Sequence, residues 1–366
     1  MLSTAGLLSY LEKELQLKSF KRNKAIGFFD EDFRFEKLTR LGDPLERLRQ
    51  GIDFEQFRPL LLDKLHFLPK GEGGRKPYDY VLMFKILILQ RYYNLGDDQT
   101  EYQICDRLSF MRFLKLTIAD DVPDSKTIWH FRERLVDLAL VDSLFDLFKR
   151  KLEELGLIVH EGKIVDASFV EVPKQRNSRE DNGQIKAGVI PDAWKEKGKE
   201  QKLEQKDTDA RWTKKNFVAY YGYKNHVKCD LKNKFITGYK VTDASVYDSE
   251  PTIEMLQKED EGQPFYADSA YTGADFQAKL VNEKKVILQV VEKGYKGKPL
   301  TDEQKANNKE KSRTRVRVEH IFGFIENSMN GSTIKTIGIK RAKALIGLMN
   351  LTYNLFRKVQ ITNPIG

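Results

Sequence analysis

The chain has 366 residues, 40% of them apolar and 32% charged, which is enough for two or three domains with real cores. A formal net charge of +9 points toward a polyanionic partner, most simply nucleic acid. Cys105 and Cys229, the only cysteines, exclude a disulfide framework and a zinc spacing and fit a reducing cytoplasm.

Residues 1–160 read as helical. The opening "MLSTAGLLSYLEKELQ" lacks the basic start of a signal peptide. "KGEGGRKP" is a flexible basic linker whose glycines fit no phosphate-binding template. "YDYVLMFKILILQRYYNL" (78–95) is apolar almost all round, so we expect a buried helix. Its most apolar run contains Lys85 and is too short to span a membrane. Two helices follow, over 100–116 and 125–140, the second opened by Pro123 and then Asp124 or Ser125 as N-cap. Lys126, His130, Arg132 and Arg134 give it a basic face. The pair suits a helix-turn-helix-like DNA reader, or an ordinary bundle with solvated charges. A third helix, 140–155, stops at Gly156.

Beyond Gly156 the pattern changes. "KIVDASFVEV" sets Asp166 among β-branched and aromatic residues, so a strand is expected over 163–170. A bare carboxylate there is costly unless something pairs with it. The stretch 173–215 has no sustained apolar stripe and reads as a mobile, mostly basic excursion. "NFVAYYGYKNHVKCD" and "KFITGYKVTD" form an antiparallel hairpin around "DLKNK". A helix (250–258), a strand (264–268), a helix (273–283) and a strand (285–291) come next. A basic loop then runs to about 312, and helices over 313–329 and 338–360 close the chain. This order fits an α/β fold, an RNase H-like mixed sheet flanked by helices and preceded by an all-helical region. The expected division is 1–160, a helical DNA-binding or dimerisation region, and 161–360, the sheet domain with its polar insertion.

Asp268 ends "PFYAD", at a strand's carboxyl end, where open α/β sheets place ligands. If the first and fourth strands are neighbours, Asp166 and Asp268 come close, and their repulsion raises one pKa or demands a cation. Hard ions such as Mg²⁺ are held by a few carboxylates. A third acid is best sought on "TRVRVEHIFGFIENSM", where Val318, Phe322, Ile325 and Met329 form an apolar stripe and Glu319 lies at its edge. Arg315 sits one turn earlier. Singly, Asp166 could be a satisfied structural acid, Asp268 a turn cap and Glu319 half of a surface pair; relief of repulsion by metal explains all three together.

The segments "IVDAS", "YYGYKNHVKCD", "TDASVYDS", "YADSAYTG" and "RVRVEHIFG" resemble DDE transposases of bacterial insertion sequences, of the IS-five/IS-four type. The likeness extends upstream through "LGDPLERL", "GRKPYDYVLMFKILILQRYYNL" and "VPDSKTIWHFRERL", and covers roughly 35–360. It implies that Asp166, Asp268 and Glu319 are the catalytic, metal-holding triad and that Arg315 is the arginine preceding the third acid. Ser312 and Glu326 stand where the family pattern has Tyr and Lys, so a DNA contact there passes to a neighbour such as Lys335. Lys224 and His226 are either a solvated sheet face or a contact to DNA or the metal site. Asp248 either supports the site or caps the helix that follows.

The implied enzyme cleaves double-stranded DNA at terminal inverted repeats and joins the ends to target DNA by two-metal phosphoryl transfer, with Mg²⁺ (or Mn²⁺) as cofactor. A homodimer would bring two ends together, in the cytoplasm at the nucleoid. Scattered histidines and the lack of a Walker sequence imply neither zinc nor a nucleotide cofactor. The rivals are a metal-dependent nuclease of the same fold that does not join, and a DNA-binding protein with a decayed catalytic domain.

Overall fold

The structure is a computed structural model and describes residue 27 and residues 29–65, 76–195 and 203–363. The opening segment, most of the "KGEGGRKP" linker and part of the polar insertion lie outside the described residues. Two compact units divide the chain, Met1–Asp43 and Pro44–Gly366. In the first, the helix Asp30–Arg40 starts with Asp30, Glu31 and Asp32 and ends with Lys37 and Arg40, charges that complement its dipole.

The second unit contains the helices and the sheet together. The expected boundary near 160 does not divide its core, which runs from Leu45 to Val359. The helix Tyr80–Tyr92 is buried along nearly its whole circumference, as its composition requires. Asp79 caps it through the amides of Val81 and Leu82. The expected helix over 100–116 is two, Asp97–Asp106 and Leu108–Leu114, because Arg107 is extended and breaks the ladder. Ser125–Asp137 and Leu140–Glu154 form as expected; Asp124 accepts the amide of Thr127, and Gly156 ends the latter with a positive φ of +66°.

Among the described residues six strands form one mixed sheet: β1 (Lys163–Glu171), β2 (Arg211–Lys215), β3 (Val218–Asp230), β4 (Ile236–Asp243), β5 (Pro264–Ala267) and β6 (Ile287–Val290). β3 is antiparallel to β1 and β4, while β5 runs parallel to β1 and β6 parallel to β5. The core order β4-β3-β1-β5-β6 is the RNase H-like arrangement, with β2 hooked onto the start of β3. The neighbourhood of the first strand with the "PFYA" strand is therefore present.

The 24-residue helix Ile339–Thr362 lies between the sheet and the helices Tyr80–Tyr92 and Leu140–Glu154. Its polar residues fix its register: Asn350 and Asn225 exchange side-chain hydrogen bonds at 2.8 and 3.0 Å, and Asn354 bridges both backbone groups of Ile236. Buried amides paired this way are satisfied rather than costly. Gly347 faces Tyr239 and Val141 so closely that a Cβ would collide with both. The sheet's other face is covered by Met255, Leu256, Tyr271 and Leu280.

Three further expectations need correction. The polar stretch 173–215 includes helices Arg179–Lys186 and Asp192–Lys195 and the strand β2, tied down by the buried Trp194 and by Asp207, which accepts from the Tyr223 hydroxyl. The basic loop before 312 is largely the helix Asp302–Arg315, started by a capping box between Thr301 and Gln304. It has no buried residue, so hydrophobic period could not reveal it. The helix expected over 313–329 is a succession: a 3-10 turn Val316–Val318, an α-turn Glu319–Gly323 and a π-turn Phe324–Ser328. No helix of the described residues is long and apolar enough to cross a membrane.

Candidate active site

β1 and β5 pair in parallel with Ile164 opposite Tyr266. Two residues further along each chain come Asp166 and Asp268, so the register carries both acids to the same level at the carboxyl end of β5. Asp268 leaves the strand as the cap of the turn Ser269–Tyr271, accepting the amide of Ala270 at 2.8 Å. Asp166 has only 13% of its side chain exposed. Its Oδ1 accepts the amide of Ala167 at 2.8 Å, and its Oδ2 accepts Arg315 Nη1 at 2.9 Å.

The helix Asp302–Arg315 delivers that guanidinium, and the buried Val318 of the next turn holds it over β1. Nη2 of the same Arg315 lies 3.5 Å from Glu319, whose side chain is 54% exposed. The stripe of Val318, Phe322, Ile325 and Met329 is buried, which leaves Glu319 at its margin. One cation thus faces two acids. Burial pushes the Asp166 carboxyl up to about 6; Arg315 and the Ala167 amide oppose the rise, and the charges of Asp268 and Glu319 add to it.

Among the described residues no three His, Cys, Asp or Glu side chains lie close enough to hold a metal ion unaided. The donor chemistry nevertheless suits a hard divalent cation: carboxylate oxygens only, on a site whose acids repel one another. Mg²⁺ is commonly held by one or two carboxylates with substrate phosphates and water completing the shell, so an all-protein cage is not needed.

The flanking candidates are placed differently from one another. Ala167 stands opposite His226 and Asp166 opposite Val227, so His226 and Lys224 leave the sheet on the face away from Asp166. That face is not solvated. Lys224 Nζ pairs with Asp248 at 2.8 Å and donates to the Val246 carbonyl, above the Phe169 ring. His226 is fully buried, with Nε2 2.9 Å from the Thr242 hydroxyl and Nδ1 without a partner. Asp248 does not cap the next helix; Pro251 is the N-cap residue, and no side chain caps there.

Lys126 and His130 are exposed, but Arg132 binds Asp97 and Gln90, and Arg134 donates to the Leu65 carbonyl. Two of the four basic residues of that face therefore fasten helices together rather than facing outward. Lys335 is exposed on the rim of a cleft shared with Arg91, Trp129, Lys174 and Arg341. Sequence reasoning missed Tyr271, wholly buried, its hydroxyl turned toward Thr252 without a well-formed hydrogen bond and within the fields of Asp166, Asp248 and Asp268. Its only signal was an aromatic residue three positions after a strand-end acid.

A mixed sheet of this order, with one acid inside β1 and another just past the end of the neighbouring β5, has the layout of the RNase H-like fold. Residues 159–355 match the family described as "Transposase DDE domain", more than half of the chain, and the protein belongs to that family. It is a DDE transposase, of a family that works with divalent metal ions. Residues 33–134 match the family described as "Transposase domain (DUF772)". Among solved structures, a piggyBac transposase synaptic complex with hairpin DNA is similar at 13% identity and a TM-score of 0.46, over 87% of this chain and 75% of that one.

Proposed function

We propose that the protein cleaves double-stranded DNA at the terminal inverted repeats of its element and joins the freed 3′ ends to target DNA. Asp166, Asp268 and Glu319 are the acids that would hold Mg²⁺, with Mn²⁺ as a substitute. Bound there, a pair of divalent ions supplies activation of the attacking oxygen and stabilisation of the leaving 3′-oxygen. Arg315 orients Asp166 and Glu319 and limits their repulsion until DNA arrives. Cleavage and joining need only different nucleophiles, water or a 3′-hydroxyl, so no covalent protein–DNA link is required.

The observation that carries this proposal is the placement of Asp166: a nearly buried strand acid, raised to about 6, sharing one guanidinium with Glu319. A strand carboxylate kept at such a cost calls for a cation of higher charge. Residues 1–160, with Lys126 exposed, supply DNA contact and pairing of two copies, and 161–360 the chemistry. The active complex is a homodimer, since two ends must meet, working on chromosomal DNA in the cytoplasm.

The test uses labelled duplexes carrying the inverted repeats that flank the reading frame, with Mg²⁺ and a target plasmid. Cleavage followed by joined products is expected, and Asp268→Asn should abolish both. Hydrolysis without joining would make the protein a nuclease, and activity persisting in Asp268→Asn would remove the acid from the mechanism.

A further inference from the structure

β2 and β3 are joined by Asn216 and Phe217, whose φ angles are +49° and +67°. Lys215 pairs with Val218, so the loop has two residues, both left-handed, as in a type I′ turn. Such turns favour Asn followed by Gly. Asn216 suits its place, but an aromatic residue in the second position is crowded by its own Cβ. Packing does not hold Phe217 there: it is 94% exposed, the most exposed large apolar residue among those described.

What surrounds it is basic and aromatic. Lys214 and Lys215 are exposed, and Lys214 Nζ stands 5.7 Å from the Phe217 ring centre. Trp212, 45% exposed, lies against Tyr221, with Lys174 5.9 Å from its ring. Tyr220 stacks on Phe169 with ring centres 4.2 Å apart, and Lys215 approaches that ring at 5.8 Å. Ammonium groups interleaved with open ring faces are the means by which proteins hold phosphates and stack on bases.

The hairpin also overhangs the sheet. β1 pairs with β3 only from Gly222 to Asp230, so Val218–Tyr221 and the turn project beyond β1. Phe217 is ten residues along the chain from Val227, the partner of Asp166, at most about 33 Å at strand rise, with Gly222 (φ +148°) turning the strand between them. One turn of B-form DNA is about 34 Å long.

We propose that the β2–β3 hairpin is a DNA wedge: Phe217 enters the base stack within about one helical turn of the phosphate addressed by Asp166, while Lys214 and Lys215 hold the flanking phosphates. The spacing rests on the assignment of the acids given above; the wedge itself does not. Burial does not offset the strain of a turn that aims an aromatic ring at solvent, and a DNA partner accounts for it.

The experiment uses the full chain and duplexes built from the flanking repeats, with 2-aminopurine placed singly across the first two helical turns from the cleaved end. The wild-type protein should brighten the probe in one zone, within about one turn of the cleaved end. Phe217→Gly should lose that signal and about tenfold in affinity, yet keep or raise its melting temperature, because Gly accepts the positive φ. Phe217→Trp should restore the signal. A glycine variant with wild-type fluorescence and affinity would overturn the wedge. So would one that only dissociates dimers, which would make the tip a contact between copies. Failure of the acid assignment looks different: Asp166→Asn would cleave normally while the probe still brightens.

Discussion

Arg315 and Asp166 are 149 positions apart in sequence, and their side chains meet at 2.9 Å. The same guanidinium lies 3.5 Å from Glu319, so a monovalent cation occupies the space between two acids that a divalent ion would also seek. Arg315→Gln should remove this competitor as well as a largely shielded ion pair. Without metal, the variant should melt a few degrees lower, a loss of about 1–2 kcal/mol. Added Mn²⁺ should then raise its melting temperature by more than it raises that of the wild type. A smaller rise would mean that Arg315 assists metal binding instead of competing with it.

The proton on Asp166 gives a second test. Its carboxyl titrates at about 6 in the folded chain against 3.8 for the ordinary group. Between those values the native state binds more protons than the unfolded one, so this group's stabilising effect is full below about 4 and is lost as pH rises through 6. In a chelator, Asp166→Asn should gain stability over wild type from pH 4 to pH 8, by up to about 3 kcal/mol. Divalent metal should oppose this contribution, with a larger thermal shift in the wild type at pH 8 than at pH 5, because the ligand must shed its proton to bind. Thermal melts at both pH values, with and without Mn²⁺, measure both effects. An equal metal shift at pH 5 and 8 would remove Asp166 from the site.

The places of the three acids in the fold were legible because their signals are local. An acid inside a β-branched run, an acid closing a strand and an acid beside an apolar helical stripe each break a pattern that the neighbouring residues set. The principal strands followed from periodicity, while the pairing of the first with the fourth entered only as a condition that the sheet then met. What escaped was held by contacts without period. The helix Asp302–Arg315 buries nothing and is announced only by its capping box, so a charged stretch read as loop. β2 lies in a polar insertion and is a strand because β3 continues beyond β1 to pair with it. Lys224, His226 and Lys228 alternate as a solvated face would, yet segments from 244 to 260 cover them; alternation fixes a face, and tertiary packing decides whether water reaches it.

The covered face yields a stability prediction. Asp260 is buried between Lys228, with which it forms a hydrogen-bonded ion pair, and Lys163 at 3.9 Å. Its oxygens also accept the amide of Gln257. Asp260→Asn leaves the buried ammonium of Lys228 without its counter-charge and takes the nearest one from Lys163, which should cost about 3–5 kcal/mol. Lys163→Met alone should be much milder, since Asp260 keeps its nearer partner. Urea denaturation of the two variants separates them, and similar losses would show that the cluster is not organised around Asp260.

His226 acts on the pH profile in the opposite sense to Asp166. Burial, opposed by Asp248 and reinforced by Lys224, pushes its imidazole down to about 4 from 6.5. Between these values the unfolded chain takes up a proton that the native state refuses, so stability falls as pH drops from 6.5 toward 4. The two windows overlap, and in the wild type the opposed slopes partly cancel. Each becomes visible only when the other group is removed. His226→Gln should therefore abolish an acid-side loss of up to about 3 kcal/mol and leave the profile dominated by Asp166, more stable at pH 4.5 than at pH 7. In Asp166→Asn the loss due to His226 should stand alone and steepen below pH 6. Metal-free denaturation curves of the two variants at three pH values decide the matter: parallel profiles would mean that neither proton is held as the burial of these side chains requires.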